Sequence, residues 1–161
     1  MKRILVLVLA LCAIAVVSFA QTSTTANVTA NVTAALTITK TLDLNLGNVA
    51  QGATVTITSL TAAAAAFTIQ GAASAATTVT VTNPSNLTFG ANNLPFTAQF
   101  PRYNTVNTQA SSTQFGALTG GSTTTSAGGQ LFLWIGGGVT ASGSQAAGSY
   151  SGLITVSFTQ P

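Results

Sequence analysis

The sequence predicts an all-β protein, an immunoglobulin-like β-sandwich, and three observations carry that expectation. Short segments alternating apolar and polar residues recur at roughly the 8–12-residue spacing of sandwich strands. Glycine, proline and asparagine separate them as turn signals. No stretch holds the 3.6-residue periodicity of an amphipathic helix.

The first twenty residues stand apart. Lys2 and Arg3 precede an apolar run from Ile4 to Val17, and Ser18-Phe19-Ala20 supplies small residues where a signal peptidase reads. That pattern predicts a secretory signal peptide over 1–20, cleaved before Gln21. An uncleaved anchor needs at least about 17 apolar residues, and the small-residue site decides for removal. Cys12 lies inside the apolar run behind bulky Leu11, the wrong place for lipoprotein processing. The mature chain is expected outside the cell or at its surface, with no membrane insertion.

The mature chain opens with ANVTANVTAALTIT, residues 26–39, in which every even position from Ala26 to Ile38 is apolar. Alternation of that kind marks a strand with one buried face. At about 3.3 Å per residue it would run roughly 43 Å, against about five or six residues for an ordinary strand. Leu42, Leu44 and Leu46 continue the register, with Lys40 as its one break. The expected organisation is therefore a signal peptide over 1–20, an N-terminal extension over 21–35 and a sandwich over 36–161.

Further strands follow in order. Ala53 to Thr58 alternates around Val55 and Ile57. The alanine run 62–66 is too short for an independent helix and leads into a strand at Phe67–Ile69. Thr77 to Thr82 (TTVTVT) is closed by Asn83-Pro84. Leu87–Phe89 and Phe96–Phe100 flank the turn-like Gly90-Ala91-Asn92-Asn93, and Pro95 and Pro101 place them at edges or strand ends. Residues 102–129 read as a long loop carrying one short strand, anchored by Phe115 and Leu118. Gln130 to Ile135 (QLFLWI) is apolar on both faces, as a central strand is, and Gly136-Gly137-Gly138 breaks it. Leu153 to Thr159 sets Ile154, Val156 and Phe158 on one side.

Composition excludes most chemistry. The chain has no histidine and a single carboxylate side chain, Asp43; past the leader its only cations are Lys40 and Arg102. General acid–base catalysis and paired-carboxylate hydrolysis lack their groups, and metal sites lack ligands. No enzyme activity, metal or cofactor is expected. Two cations make no basic patch, so nucleic acid is not an expected partner. Lys40 and Asp43 are expected on opposite strand faces, as solvated polar positions. Asn27, Asn31 and Asn86 head Asn-x-Thr glycosylation sequons, while Asn83 is blocked by Pro84. Tyr103, Trp134 and Tyr150 are the rings available to stack on sugars, although a Trp inside QLFLWI suits a core.

The stretch Gly143 to Phe158, GSQAAGSYSGLITVSF, resembles the closing segment of a family of secreted bacterial β-sandwich domains catalogued as a domain of unknown function, with its pattern A-G-x-Y-x-G-x-hydrophobic-x-V. Leu42-Asp43-Leu44-Asn45-Leu46-Gly47 resembles that family's early strand, with Leu46 where an aromatic is usual. Similar closing segments occur in spore-coat-U-type domains and in chaperone–usher pilins. The pilin resemblance implies a sandwich lacking its last strand, the gap being filled by the N-terminal extension of the next subunit. On that reading Ala26, Val28, Ala30, Val32 and Ala34 form the donor strand, and the product is a pilus-like homopolymer. A periplasmic chaperone or an outer-membrane assembly factor is a further implied partner. Two alternatives stand beside it: a monomeric adhesin-like module binding carbohydrate through Tyr103, Trp134 or the 102–129 loop, and a self-contained secreted sandwich.

Overall fold

The computed structural model describes residues 23–30 and 34–161; the signal peptide expected over 1–20 lies outside the described residues. Residues 23–30 carry no regular secondary structure and are exposed, Val28 at 95 %.

From residue 34 onward the protein is all-β, with one single-turn 3₁₀ helix at Gln109–Ser111. The strands are β1 (Thr37–Leu42), β2 (Thr54–Ile57), β3 (Ala65–Gln70), β4 (Ala76–Thr82), β5 (Asn86–Phe89), β6 (Asn92–Ala98), β7 (Arg102–Asn104), β8 (Thr113–Gln114), β9 (Gly120–Thr124), β10 (Gln130–Ile135), β11 (Gly137–Thr140) and β12 (Thr155–Thr159). They form three antiparallel sheets, ordered β1-β3-β10-β7-β8, β2-β11-β6-β5 and β12-β4-β9.

The first and third sheets face each other as a β-sandwich. Alternation fixes which side chains meet between them: Ala65, Phe67 and Ile69 from β3, Val79 and Val81 from β4, and Leu131, Leu133 and Ile135 from β10, joined by Phe115. Fully burying each large aliphatic of this set contributes about 1.5–3 kcal/mol. A second core, Leu94, Val139 and Ala141, lies under the β2-β11-β6-β5 sheet.

The glycine triplet links the two regions. The strand bends at Gly136 and resumes at once as β11, in another sheet. A Cβ on Gly136 would stand 2.3 Å from the Ile57 carbonyl oxygen, so no side chain fits there. Gly136 N–H donates to Ser59 Oγ (2.9 Å), which in turn donates to the Phe100 carbonyl (2.8 Å).

Several expectations change. Where a strand is expected from Ala26, the described residues pair from Thr37; Ala26–Ala30 and Ala34–Leu36 are exposed and outside any strand. The 102–129 stretch holds three short strands, β7, β8 and β9, rather than one. Phe115 is core, but Leu118 is 41 % exposed. Strand β6 is interior, and Pro95 is tolerated because the ladder to β11 ends beside it, at Val139–Phe96. Pro101 does sit at a strand end, between β6 and β7.

Candidate functional site

The sandwich is closed on one side and open on the other. On the closed side the chain itself wraps from β7 through β8 to β9: Phe115 N–H donates to the Pro101 carbonyl (2.9 Å), and Val81 N–H to the Thr119 carbonyl (2.9 Å). On the open side stand β1, paired only with β3, and β12, paired only with β4. Among the described residues no strand pairs with their outer edges. At one end Ile38, Val156 and Phe158, each half-buried, pack on the main core and draw the two sheets together.

Farther along, the walls separate. Past Leu42 the chain runs to Val49 with no strand assignment, laying Leu44 on the main core and Leu46 and Val49 on the second. Opposite, residues 145–154 form the second wall, with Tyr150 and Ile154 half-buried. Between them lies a groove of about 830 Å³ floored by Phe67, Leu94, Phe96 and Val139. Among the described residues no turn or loop hydrogen bond joins the backbone of residues 43–49 or 152–154 to other backbone groups, while Gly47 N–H donates to Asn45 Oδ1 (2.9 Å). Both walls thus present unpaired peptide groups over an apolar floor.

The glycines and tyrosine of the closing motif build the second wall. Gly148, Tyr150 and Gly152 alternate onto the β5 side. A Cβ on Gly148 would lie 2.2 Å from Phe89 Cε1, and one on Gly152 2.7 Å from Leu87 Cδ2. Only glycine lets this segment lie so close. The Tyr150 ring sits 5.8 Å from that of Phe89, and its hydroxyl donates to the Ala146 carbonyl (2.9 Å) while accepting from Gln145 Nε2 (2.7 Å). Reciprocal Thr88–Ser151 backbone bonds of 2.8 and 3.1 Å hold the wall to β5. At the far end the walls meet: Gln51 Nε2 donates to the Gln145 carbonyl (2.6 Å), and beside it Gly52 N–H donates to the Ser142 carbonyl (3.1 Å), where the β2–β11 pairing begins.

Electrostatics here are sparse. In the β1–β3 register Lys40 stands opposite the core residue Phe67, so the break in the apolar series falls at the groove rim. Its Nζ meets Asp43 Oδ1 at 2.6 Å, correcting the expectation that the two lie on opposite faces. The register slips between Lys40 and Leu42 and the strand then ends, which brings the side chains together. Both are more than half exposed, so the pair contributes at most about 1 kcal/mol. Arg102 is half-buried away from the groove lining, its Nε donating to Ser112 Oγ (3.0 Å) and its guanidinium to the Ser112 carbonyl.

The sequence-predicted residues fall as follows. Ala26, Asn27, Val28 and Ala30 are exposed in the 23–30 segment, and Ala34 is exposed ahead of β1; Asn31 and Val32 lie outside the described residues. Asn86 is exposed at the start of β5. Trp134 is 6 % exposed and stacks near Phe132 (6.4 Å between centroids). Tyr103 is half-buried with its ring 4.3 Å from that of Phe115. None of the three aromatic rings stands free as a platform. Alternation in the sequence indicates the first wall; the second, built on glycines, carries no periodicity to reveal it.

Chemically, free peptide edges over an apolar floor are what an extended chain needs, with main-chain bonds for affinity and alternate side chains for fit. No curated protein matches this chain. The family described as Domain of unknown function (DUF4402) matches residues 18–159, a span that takes in both groove walls and the alternating segment before β1, and the chain belongs to that family.

Proposed function

We propose that this protein is an exported structural subunit, pilin-like in its immunoglobulin-type sandwich, that polymerises head to tail by lending its N-terminal segment to the groove of the next copy. The supporting observation is the groove itself, bounded by the edges of β1 and β12 that pair with no strand among the described residues, with backbone at 43–46 and 152–154 that makes no turn or loop bond there. Residues 26–34 supply a segment of matching pattern: Ala26, Val28, Ala30, Val32 and Ala34 turn inward while Asn27, Thr29, Asn31 and Thr33 face solvent. Two valines contribute about 1.5–3 kcal/mol each when fully buried. The small side chains leave main-chain pairing along both walls to supply much of the affinity.

Insertion into another copy is favoured over folding back into the same one. A hairpin onto β1 requires a tight turn between residue 33 and Thr37, and Thr33-Ala34-Ala35-Leu36 contains none of the Gly, Asn, Asp or Pro that such turns use. Head-to-tail insertion does not close, so it yields a fibre. The carbohydrate reading lacks a free aromatic platform, since Trp134 is buried and Tyr103 packs on Phe115.

The test is electron microscopy of purified chain 21–161 beside the same chain lacking residues 21–34. Filaments from the first and dispersed particles from the second are expected. Equal filament formation by both, or by neither, overturns the proposal.

A further inference from the structure

We infer that the two valines of the donor segment fix its register in the groove, one seated over each of the two cores, with Ala30 crossing the boundary between them. This rests on the strand-exchange reading and decides what alternation leaves open. A strand slipped by one residue turns its apolar side chains to solvent, but a slip of two keeps every apolar residue inside. In ANVTANVTA the apolar face is not uniform: Ala26, Val28, Ala30, Val32 and Ala34 alternate in size, the valines recurring after four residues. That size pattern is what separates a slip of two from the seated register.

The groove carries a feature of the same period. Its floor belongs to two cores, Ala65 and Phe67 to the main one and Leu94, Val139 and Ala141 to the second. Both walls cross from one core to the other. On the first wall Leu44 packs on the main core, and Leu46 and Val49 on the second; on the opposite wall Ile154 packs on the main core and Tyr150 on the second. Ile154 and Tyr150 stand four residues apart, as do Val28 and Val32.

The wall pairs in β fashion at Ser151, with Thr88, and enters β12 at Thr155. A donor lying beside it advances at a similar rise, about 13 Å over four residues at roughly 3.3 Å each. A valine at the level of Ile154 therefore sets its fellow at the level of Tyr150. The match holds for either chain direction, so it fixes register and not polarity. The groove also ends: past Gln51 and Gln145 the Gly52 N–H to Ser142 carbonyl bond (3.1 Å) opens the β2–β11 pairing, and a donor slipped that way meets paired backbone. Main-chain bonds are available in every register, whereas the two valines can both be seated in one. Replacing one seated valine by alanine loses two buried carbons, a weakening of about tenfold.

The experiment uses three versions of chain 21–161 with identical composition: the parent, Val28→Ala with Ala30→Val, which sets the valines two residues apart, and Val28→Ala with Ala26→Val, which sets them six apart. Residues 26–30 are exposed and outside any strand, so the unfolding midpoint of the unassembled chain is expected to be the same in all three. Sedimentation measures the critical concentration for filament assembly, which is expected to rise about tenfold in both variants. A critical concentration equal to or below the parent's in either variant overturns the register and leaves strand exchange standing. Filaments from the chain lacking residues 21–34, or none from the parent, overturn both.

Discussion

Thr125 shows how much a single side chain carries in a protein with so few charges. It is 4 % exposed; its hydroxyl donates to the Ala72 carbonyl (2.6 Å) and accepts from Ala75 N–H (3.0 Å). Thr125→Val keeps the shape but leaves the half-buried Ala72 carbonyl and Ala75 N–H without this partner, a cost of about 1 kcal/mol. A urea titration should find that loss, and a variant as stable as the parent would show that water reaches Ala72 and Ala75. In the sequence this threonine is one of many, since nothing local separates a hydroxyl that ties two turns together from one facing solvent. The same limit explains Leu118, expected in the core beside Phe115 yet exposed. Residue type records hydrophobicity, not which of two neighbouring apolar residues the chain turns inward. Lys40 was legible as a break in a pattern; its pairing with Asp43 depended on a register slip that no pattern records.

Among the elements, regular alternation was legible and glycine-rich backbone was not. Strands β2, β3, β4 and β10 were evident because Val, Ile, Phe and Thr alternate at period two. Strands β7, β8, β9 and β11 were hidden, since RYN, TQ, GGSTT and GGVT are too short or too poor in branched residues to stand out. Strand β12 is shorter than expected, beginning at Thr155, because Leu153 and Ile154 have no neighbour to pair with. That missing neighbour is where the proposed donor acts. In the proposed filament Val28 would face the groove floor, so Val28→Asp would put an unpaired carboxylate there at a cost of about 3 kcal/mol or more, a weakening of more than about a hundredfold. Light scattering should show assembly lost while the circular dichroism of the unassembled protein is unchanged. Assembly at the parent's rate would mean that Val28 faces solvent.

For the molecule as a whole, composition was the most informative sequence feature. Sheet edges are commonly guarded by charge, lysine above all, and this chain brings one exposed ion pair to the rim of its open side. The all-β sandwich and its central strand were legible; the groove was not, because it arises where two segments distant in sequence, 40–51 and 145–154, stand apart along most of their length and meet only at the Gln51–Gln145 end. The central claim is that an extended segment of this same chain fills that gap. The most direct measurement is thermal unfolding of the chain lacking residues 21–34 while a synthetic peptide of residues 21–36 is titrated in. Binding to the folded state alone must raise the midpoint with peptide concentration, by about 3–5 °C for each kcal/mol in a domain of this size, and a peptide carrying Val28→Asp must not. A midpoint that stays fixed up to millimolar peptide would contradict strand exchange and leave the groove without its proposed occupant.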